Sequence, residues 1–215
     1  MKVTKYPQSC LLIETDNKKI LIDAGSLKYQ EEYFDIWKEV DIILLTHKHG
    51  DHVNGEVLKN IDVPIYSTLE VQKNYPELNI NVIKEGDLFN LANIKIEVVK
   101  AVHGYNPLLR GSKEVFENVG YIIDDGVIRF YTTSDTVCFA NDYKVDVVAL
   151  PITAHGLTMS SYEASLFAKD LDAMLVLPIH MDNDFYPTDI EYMKINFENA
   201  EINYKVLEIG ESVEI

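Results

Sequence analysis

The chain has 215 residues and a net charge of −16, from 35 acidic and 19 basic residues. A surface this acidic repels phosphate backbones and anionic lipids, and no cluster of Lys and Arg offsets it. No stretch approaches the ~20 apolar residues of a membrane span, and the N-terminus has no apolar signal-peptide core. The two cysteines, Cys10 and Cys138, are too few for a disulfide framework and are expected to be small buried residues. We therefore expect a cytoplasmic protein with neither a membrane nor a nucleic-acid partner.

Short runs rich in Val, Ile and Tyr, bounded by turn residues, predict ten strands. They are Cys10–Glu14, Lys19–Asp23, Asp41–Thr46, Pro64–Ser67, Ile94–Val102, Gly120–Asp124, Val127–Thr132, Val145–Leu150, Ala173–Leu177 and Tyr204–Ile209. The tripeptides Asp124-Asp125-Gly126 and Thr15-Asp16-Asn17 predict hairpin turns.

Apolar residues at helical spacing predict three helices, Gln30–Val40, Ser160–Leu171 and Thr188–Phe197. Ser160 or Ser161 is the expected N-cap of the second, and Thr188 of the third. Hairpins come early in each half of the chain and strand–helix–strand units come later. This order predicts an α/β (α+β) protein in which helices pack outside sheets. No linker interrupts it, so we expect one domain over residues 1–215.

The segment DIILLTHKHGDH, from Asp41 to His52, places His47, His49, Asp51 and His52 within six residues directly after a buried strand. Imidazole and carboxylate groups are the ligands that hold Zn, Mn or Fe. Because Gly50 permits a tight turn, side chains two and four residues apart can converge on one point. The cluster predicts a metal site.

Three further donors, His103, Asp135 and His180, each follow another strand-like run. The carboxyl ends of strands are where loops meet in sheet-based enzymes, so these residues are expected to join the cluster. Together they supply enough ligands for two divalent ions. We expect zinc, with manganese or iron as alternatives.

The motif THKHGDH, followed by the spaced His103, Asp135 and His180, resembles the signature of the metallo-β-lactamase superfamily. The segments LPITAHGLTMSSYEA at Leu150–Ala164 and LPIHMD at Leu177–Asp182 resemble its small stand-alone metal-dependent hydrolases and their ascorbate-6-phosphate lactonase relatives. The resemblance implies a four-layer αββα sandwich that hydrolyses its substrate with metal-activated water.

Carried over residue by residue, the resemblance implies one metal on His47, His49 and His103. A second metal would lie on Asp51, His52 and His180, with Asp135 bridging both. Asp23, in the segment ILIDAG, matches a position that supports the site from behind its ligands. Asp51 is then placed to take up or deliver a proton as the catalytic carboxylate.

Two departures from the family are visible. Relatives often have a glycine before the bridging aspartate, whereas this chain has Thr133-Ser134-Asp135, so the backbone there is expected to differ. Relatives also carry a histidine near the N-terminal Ser-Cys pair, where this chain reads Pro7-Gln8-Ser9-Cys10. A substrate role for that histidine is absent, which argues against transferring the lactonase activity itself.

Two residues outside the ligand set are candidate substrate contacts. His155 follows the run VDVVALPIT and either contacts substrate or orders the loop before the second helix. Arg110 lies in the segment Gly104–Asn118, which we expect to cover the site, and either binds a substrate phosphate or carboxylate or remains solvated. Asp182 and Asp184 either orient His180 or belong to a turn ending at Pro187.

These features favour hydrolysis of a small ester, lactone or phosphorylated metabolite. The first alternative is a metal-dependent phosphodiesterase or ribonuclease of the same fold, against which the acidic charge argues. The second is a non-catalytic metal-binding protein, although structural metal sites are normally closed by four protein ligands.

Overall fold

The computed structural model describes residues 1–104 and 114–215. Its strands are β1 Lys2–Lys5, β2 Leu11–Thr15, β3 Lys18–Ile22, β4 Ile42–Leu44, β5 Ile65–Ser67, β6 Ile80–Val82, β7 Leu88–Leu91, β8 Ile94–Lys100, β9 Val119–Asp124, β10 Arg129–Thr132, β11 Val147–Pro151, β12 Leu175–Ile179 and β13 Ser212–Glu214. Its helices are α1 Glu31–Trp37, α2 Gly55–Leu58, α3 Leu69–Asn74, α4 Ser161–Leu171 and α5 Ile190–Asn199.

The strands form two sheets, in the orders β13-β1-β2-β3-β4-β5-β6 and β12-β11-β10-β9-β8-β7. In the first sheet β3 to β6 run parallel to one another. In the second, β10 to β12 are parallel and β9 lies antiparallel between β8 and β10. Strands β8, β10, β11 and β12 therefore all point their carboxyl ends to one edge of their sheet.

The two sheets pack face to face through alternate residues of their strands. Ile42 and Leu44 of β4 join the buried cluster that also contains Tyr121 of β9 and Phe130 of β10. Ile43 of β4 belongs to a different cluster, on the opposite face of its sheet. This alternation places one apolar core between the sheets and leaves each sheet a second apolar face.

Helices cover both outer faces. Trp37 of α1, Leu58 of α2 and Val71 of α3 pack on the outer face of the first sheet. Phe167 of α4 and Phe197 of α5 pack on the outer face of the second. The layers are thus helix, sheet, sheet, helix, and the expected αββα sandwich is confirmed.

Local sequence signals account for several element ends. Ser160 caps α4 in a reciprocal capping box with Glu163, as its position predicted. Asp189 caps α5, in place of the expected Thr188. The β2–β3 hairpin turns through Asp16 and Asn17, both at positive φ, which short polar side chains tolerate.

The predicted strand Tyr204–Ile209 is wrong. Only Tyr204 pairs with the second sheet, through a single bridge to Val176. Gly210, at φ +85°, then turns the chain, and the closing strand β13 pairs with β1 of the other sheet. The strands that sequence patterns missed include the edge strands β6 and β7, each short and largely solvent-exposed. Such strands lack the apolar alternation on which the pattern depends.

The structure also bears on two further expectations, the burial of the cysteines and the membrane. Cys10 is buried as expected, but Cys138 is exposed, so that prediction is wrong. It lies past the end of β10, in the connection to β11. Among the residues that the structure describes, no helix has the length and apolar character needed to cross a membrane.

Candidate metal centre

The candidate ligands gather at one edge of the sandwich. His47 to His52 follow β4, His103 follows β8, Asp135 follows β10 and His180 follows β12. Because these strands end at the same edge, residues up to 133 positions apart in sequence become neighbours. All seven ligand residues expected from the sequence are brought together.

A first group consists of His47, His49 and His103, whose ligand atoms lie within 4.8 Å of one another. Nδ1 of His49 is 3.1 Å from Nε2 of His47 and 3.3 Å from Nε2 of His103. Nitrogens bound to one tetrahedral zinc at about 2.0–2.1 Å are separated by about 3.3 Å. The spacing therefore suits three ligands of a single ion.

A second group consists of Asp51, His52 and His180. Nε2 of His180 lies 3.3 Å from Oδ2 of Asp51 and 3.1 Å from Oδ2 of Asp135. Nε2 of His52 lies 3.3 Å from the same Asp135 oxygen. Asp135 also forms a third group with His47 and His52, one residue from each of the first two groups. The aspartate thus lies where the groups meet.

Buried polar atoms show that the cluster fits a divalent metal. Nε2 of His52 and Oδ1 of Asp135 are buried and have no hydrogen-bond partner among the described residues. Such atoms are rare because an unsatisfied buried donor or acceptor is costly. Metal coordination would satisfy both, and imidazole with carboxylate is the ligand chemistry that zinc, manganese and iron accept.

Electrostatics divide the histidines into two classes. Burial lowers the pKa of His47 well below its ordinary value and that of His103 to about 4. Burial would also lower the pKa of His180, but Asp135 and Asp51 raise it to about 9. Burial likewise opposes protonation of His52, but Asp135, Asp23 and Asp51 raise its pKa well above the ordinary value. Hence His47 and His103 are neutral near pH 7 and ready to bind a cation, whereas His52 and His180 must first release protons.

Asp23 supports the centre, as the resemblance implied. Its Oδ2 lies 2.8 Å from Nδ1 of His52, and Thr46 donates to both carboxylate oxygens. Gly25, two residues later, packs so closely that an added Cβ would lie 1.8 Å from the carbonyl oxygen of Asp51. The segment ILIDAG therefore needs its glycine in order to sit against the ligand loop.

Ser134 takes a conformation that glycine favours. Its φ is +62°, in the left-handed region, and its hydroxyl donates to Asn118 Oδ1 at 3.0 Å. Asn118 in turn donates to the carbonyl of Asp135 at 2.6 Å. Asp135 thus reaches the centre with a serine before it. The expected difference from the backbone of relatives that have glycine there stays a prediction.

Gln8 lies at the centre although sequence reasoning gave it no part. Its Nε2 is 3.3 Å from Oδ2 of Asp51 and 3.3 Å from Nε2 of His180. The one signal in the sequence is the departure at Pro7-Gln8-Ser9-Cys10 from relatives with a histidine there, which by itself indicates only the loss of a group. The structure shows that the amide of Gln8 lies in the centre.

The two aspartates after His180 differ in role. Asp182 accepts hydrogen bonds from Lys5 Nζ at 2.6 Å and from the backbone of Gln8 at 2.7 Å. Gln8 links Asp182 to His180, because the Gln8 carbonyl accepts a hydrogen bond from the His180 backbone N–H. Asp184 pairs with Lys28 at the surface, in agreement with the turn interpretation.

Of the two candidate substrate contacts, the structure describes His155 but not Arg110. The ring of His155 stacks on Tyr186 with a centroid separation of 3.4 Å. His155 follows β11, which lies between β10 and β12, so it belongs to the sheet edge that carries Asp135 and His180. Burial and the charge of His180 lower the pKa of His155, while Asp51 and Asp135 oppose them. Arg110 lies outside the described residues, as does most of the Gly104–Asn118 segment.

The C-terminal end of that segment is tied to the ligand loop. Lys48, between two metal-ligand candidates, pairs with Glu70 at 2.6 Å, and both side chains are largely buried. The other oxygen of Glu70 accepts from the backbone N–H groups of Phe116 and Glu117, each at 2.9 Å. One ion pair therefore holds residues 116–117 beside the centre.

The chain is similar in sequence and in fold to known metal-dependent hydrolases. Residues 2–180 match the family described as the Beta-lactamase superfamily domain. A UPF0173 metal-dependent hydrolase of Bacillus thuringiensis strain Al Hakam is 30% identical over 99% of both chains. That of Anoxybacillus flavithermus is 29% identical over 100% of both. Among solved structures, Igni18, a novel metallo hydrolase from Ignicoccus hospitalis, has a TM-score of 0.79 and 26% identity, covering 99% of this chain and 97% of its own.

Proposed function

Because this chain belongs to the β-lactamase superfamily, we propose that it hydrolyses a small ester, lactone or phosphorylated metabolite using two divalent metal ions, zinc foremost. At the coarser level the chain is a metal-dependent hydrolase of the metallo-β-lactamase fold. The observation that carries the finer proposal is the position of Asp135 between two three-residue ligand groups.

The proposed chemistry divides between the ions and the chain. Two ions in such a centre would lower the pKa of a water molecule and polarise the bond under attack. His47, His49 and His103 would hold the first ion, and Asp51, His52 and His180 the second. Asp51 would also carry the proton, because its carboxylate lies within the centre, 3.3 Å from Nε2 of His180. Burial raises its pKa, but His52 and His180 outweigh that effect and lower it, so the carboxylate is ionised near neutral pH, as a proton acceptor must be.

The rim of the centre supports a small organic substrate. His155 and Tyr186 form a flat stacked pair beside it, and Phe185 next to them is 88% exposed. Such faces accept an apolar or planar group. Arg110 would bind a phosphate or carboxylate on the substrate. The net charge of −16 argues against a nucleic-acid substrate, because it would repel the phosphate backbone.

Two alternatives are less well supported. A phosphodiesterase or ribonuclease would need a basic surface that the composition does not provide. A non-catalytic metal protein would have closed sites, whereas the side chain of Asp51 is 29% exposed. We also propose a cytoplasmic location, since Cys10 and Cys138 are both free thiols.

Metal stoichiometry tests the centre. After reconstitution with zinc at neutral pH, elemental analysis should give two equivalents per chain. Asp135→Ala should disturb both ions, His49→Ala should chiefly remove the first, and Asp35→Ala on the exposed face of α1 should remove neither. Fewer than one equivalent in the unaltered chain would contradict the proposal.

A substrate screen tests the reaction class. Generic lactones, thioesters and phosphodiesters, offered with zinc or manganese, should reveal weak hydrolysis of small molecules. Robust, salt-sensitive cleavage of structured RNA alone would instead establish the nuclease alternative.

A further inference from the structure

The turn that precedes β2 carries Gln8 into the metal centre. Tyr6 and Cys10 close this turn with a backbone hydrogen bond of 2.8 Å. Gln8 has φ +59° and no solvent exposure. A glutamine is uncommon in the left-handed region, and a fully buried one must have its amide satisfied.

Its contacts determine which end of the amide faces the centre. Oε1 of Gln8 accepts a hydrogen bond from the backbone N–H of Asp182 at 3.0 Å. The carboxylate of Asp182 accepts from the Gln8 backbone at 2.7 Å and is held by Lys5, which is itself buried. Since the oxygen is engaged with the protein backbone, the Nε2 group must point toward Asp51 and His180.

The two hydrogens on Nε2 of Gln8 face different acceptors. Asp51 Oδ2, at 3.3 Å, accepts one of them. The other neighbour, His180 Nε2, also lies at 3.3 Å, but its single lone pair is the one that would bind a metal. With a metal on His180, the second N–H of a fully buried amide has no acceptor among the described residues.

We propose that Gln8 donates this hydrogen bond to a substrate oxygen, so that the residue determines specificity for oxygen-bearing groups at the second metal position. The inference rests on the proposed function and adds to it the atom that receives the substrate. Suitable oxygens are the carbonyl of an ester or lactone and a phosphoryl or carboxylate oxygen. A preorganised donor stabilises such an oxygen most as its negative charge grows. Because the amide is neutral, it adds no charge that would repel a metal ion.

Binding of oxyanions to the zinc-loaded protein provides the test, and it needs no substrate. Acetohydroxamate, acetate and inorganic phosphate would be titrated calorimetrically into the wild type, Gln8→Leu and Gln8→Glu. Gln8→Leu should keep both zinc ions with affinities within about threefold. The Kd for the oxyanions should rise about 10- to 100-fold, the usual loss for one hydrogen bond to a charged acceptor.

Gln8→Glu is the second variant: it keeps an oxygen for the Asp182 N–H and replaces the donor with a negatively charged oxygen that repels oxyanions. It should weaken oxyanion binding at least as much as Gln8→Leu, and it decides the matter if Gln8→Leu does not fold. Gln30→Leu, at an exposed glutamine whose side chain does not cap α1, is the matched control and should change nothing.

Three results would overturn the proposal: oxyanion affinities unchanged in both variants, a wild type that binds none of the three anions, or loss of zinc from both variants. The last would make Gln8 a residue that holds Asp51 and His180 in place. Failure of the hydrolase proposal is distinguishable. It would appear as zinc-loaded protein that binds oxyanions through Gln8 yet turns over no substrate.

Discussion

Nδ1 of His52 lies 2.8 Å from Oδ2 of Asp23, and both side chains are completely buried. The contact requires a hydrogen on Nδ1 and so leaves Nε2, on the other side of the ring, as the metal-binding nitrogen. Asp23 in turn is fixed by two hydrogen bonds from Thr46, at the end of the strand that leads into the ligand loop.

We predict that Asp23→Asn lowers zinc affinity of the second group about 10- to 100-fold. The amide can still accept from Thr46, but it presents N–H to His52 and favours the tautomer whose Nε2 carries the hydrogen. A competition titration with a zinc chelator measures the change. Asp35→Asn, at an exposed ion pair, is the matched control. Unaltered affinity in Asp23→Asn would show that the contact does not set the tautomer.

The second prediction concerns pH and the metal-free protein. The folded-state pKa of His180 is raised from 6.5 to about 9, since Asp135 and Asp51 outweigh burial, and that of His52 is raised too. A raised pKa contributes stability that is complete below pH 6.5 and disappears as the pH passes the folded value. The free energy of unfolding of chelator-treated protein should therefore fall between pH 6.5 and 9.

Other groups of the centre do not reverse this trend. The pKa values of His47 and His103 are lowered, chiefly by burial, so their effect on stability lies below pH 6.5. Asp135 is lowered by His180 and His52 against the effect of burial, and its contribution is lost only under acid conditions. Urea unfolding at several pH values measures the slope, and His180→Gln should flatten it. A stability that rises toward pH 9 in the metal-free wild type would contradict the assignment.

How far the site could be predicted depends on where its constraints originate. Asp135 and His180 were found because each follows an apolar run, and a parallel sheet brings such ends together. Gln8 could not be found in this way. Its place depends on the buried pair between Lys5 and Asp182, residues that are 177 positions apart. Likewise, the positive φ of Ser134 is set by its tertiary contacts, since local propensity would give that conformation to glycine.

The third prediction concerns the ion pair of Lys48 and Glu70. Glu70→Ala removes the acceptor for the backbone N–H groups of Phe116 and Glu117 and leaves a largely buried ammonium without its partner. We expect a loss of about 1–3 kcal/mol in unfolding free energy and faster hydrogen exchange at those two amides. Glu56→Ala, which breaks an exposed pair with Lys59, is the control and should change neither quantity. Unchanged exchange in Glu70→Ala would show that other contacts hold the segment.

The last prediction gives Asp51 two duties, as metal ligand and as proton carrier. Burial would raise its pKa, yet His52 and His180 lower it, so the carboxylate is ionised near neutral pH even before a metal binds. Asp51→Asn keeps one oxygen for coordination and the approximate shape, but removes the base. Since general acid–base catalysis commonly contributes ~10²–10⁴-fold, kcat should fall by about that factor. Zinc in the first group should be retained, because none of its three ligands is altered.

The experiment for Asp51 separates the two duties only if both are measured in one preparation. Turnover of the best substrate from the screen and zinc content would be determined together for Asp51→Asn and for Asp184→Asn. Asp184 lies in the loop after His180 but pairs with Lys28 at the surface, so its variant should retain both properties. If Asp51→Asn loses the second zinc, added zinc should restore occupancy without restoring kcat. A variant with two zinc ions and near-normal turnover would exclude Asp51 as the proton carrier, and the carboxylate would then serve only to hold the metal.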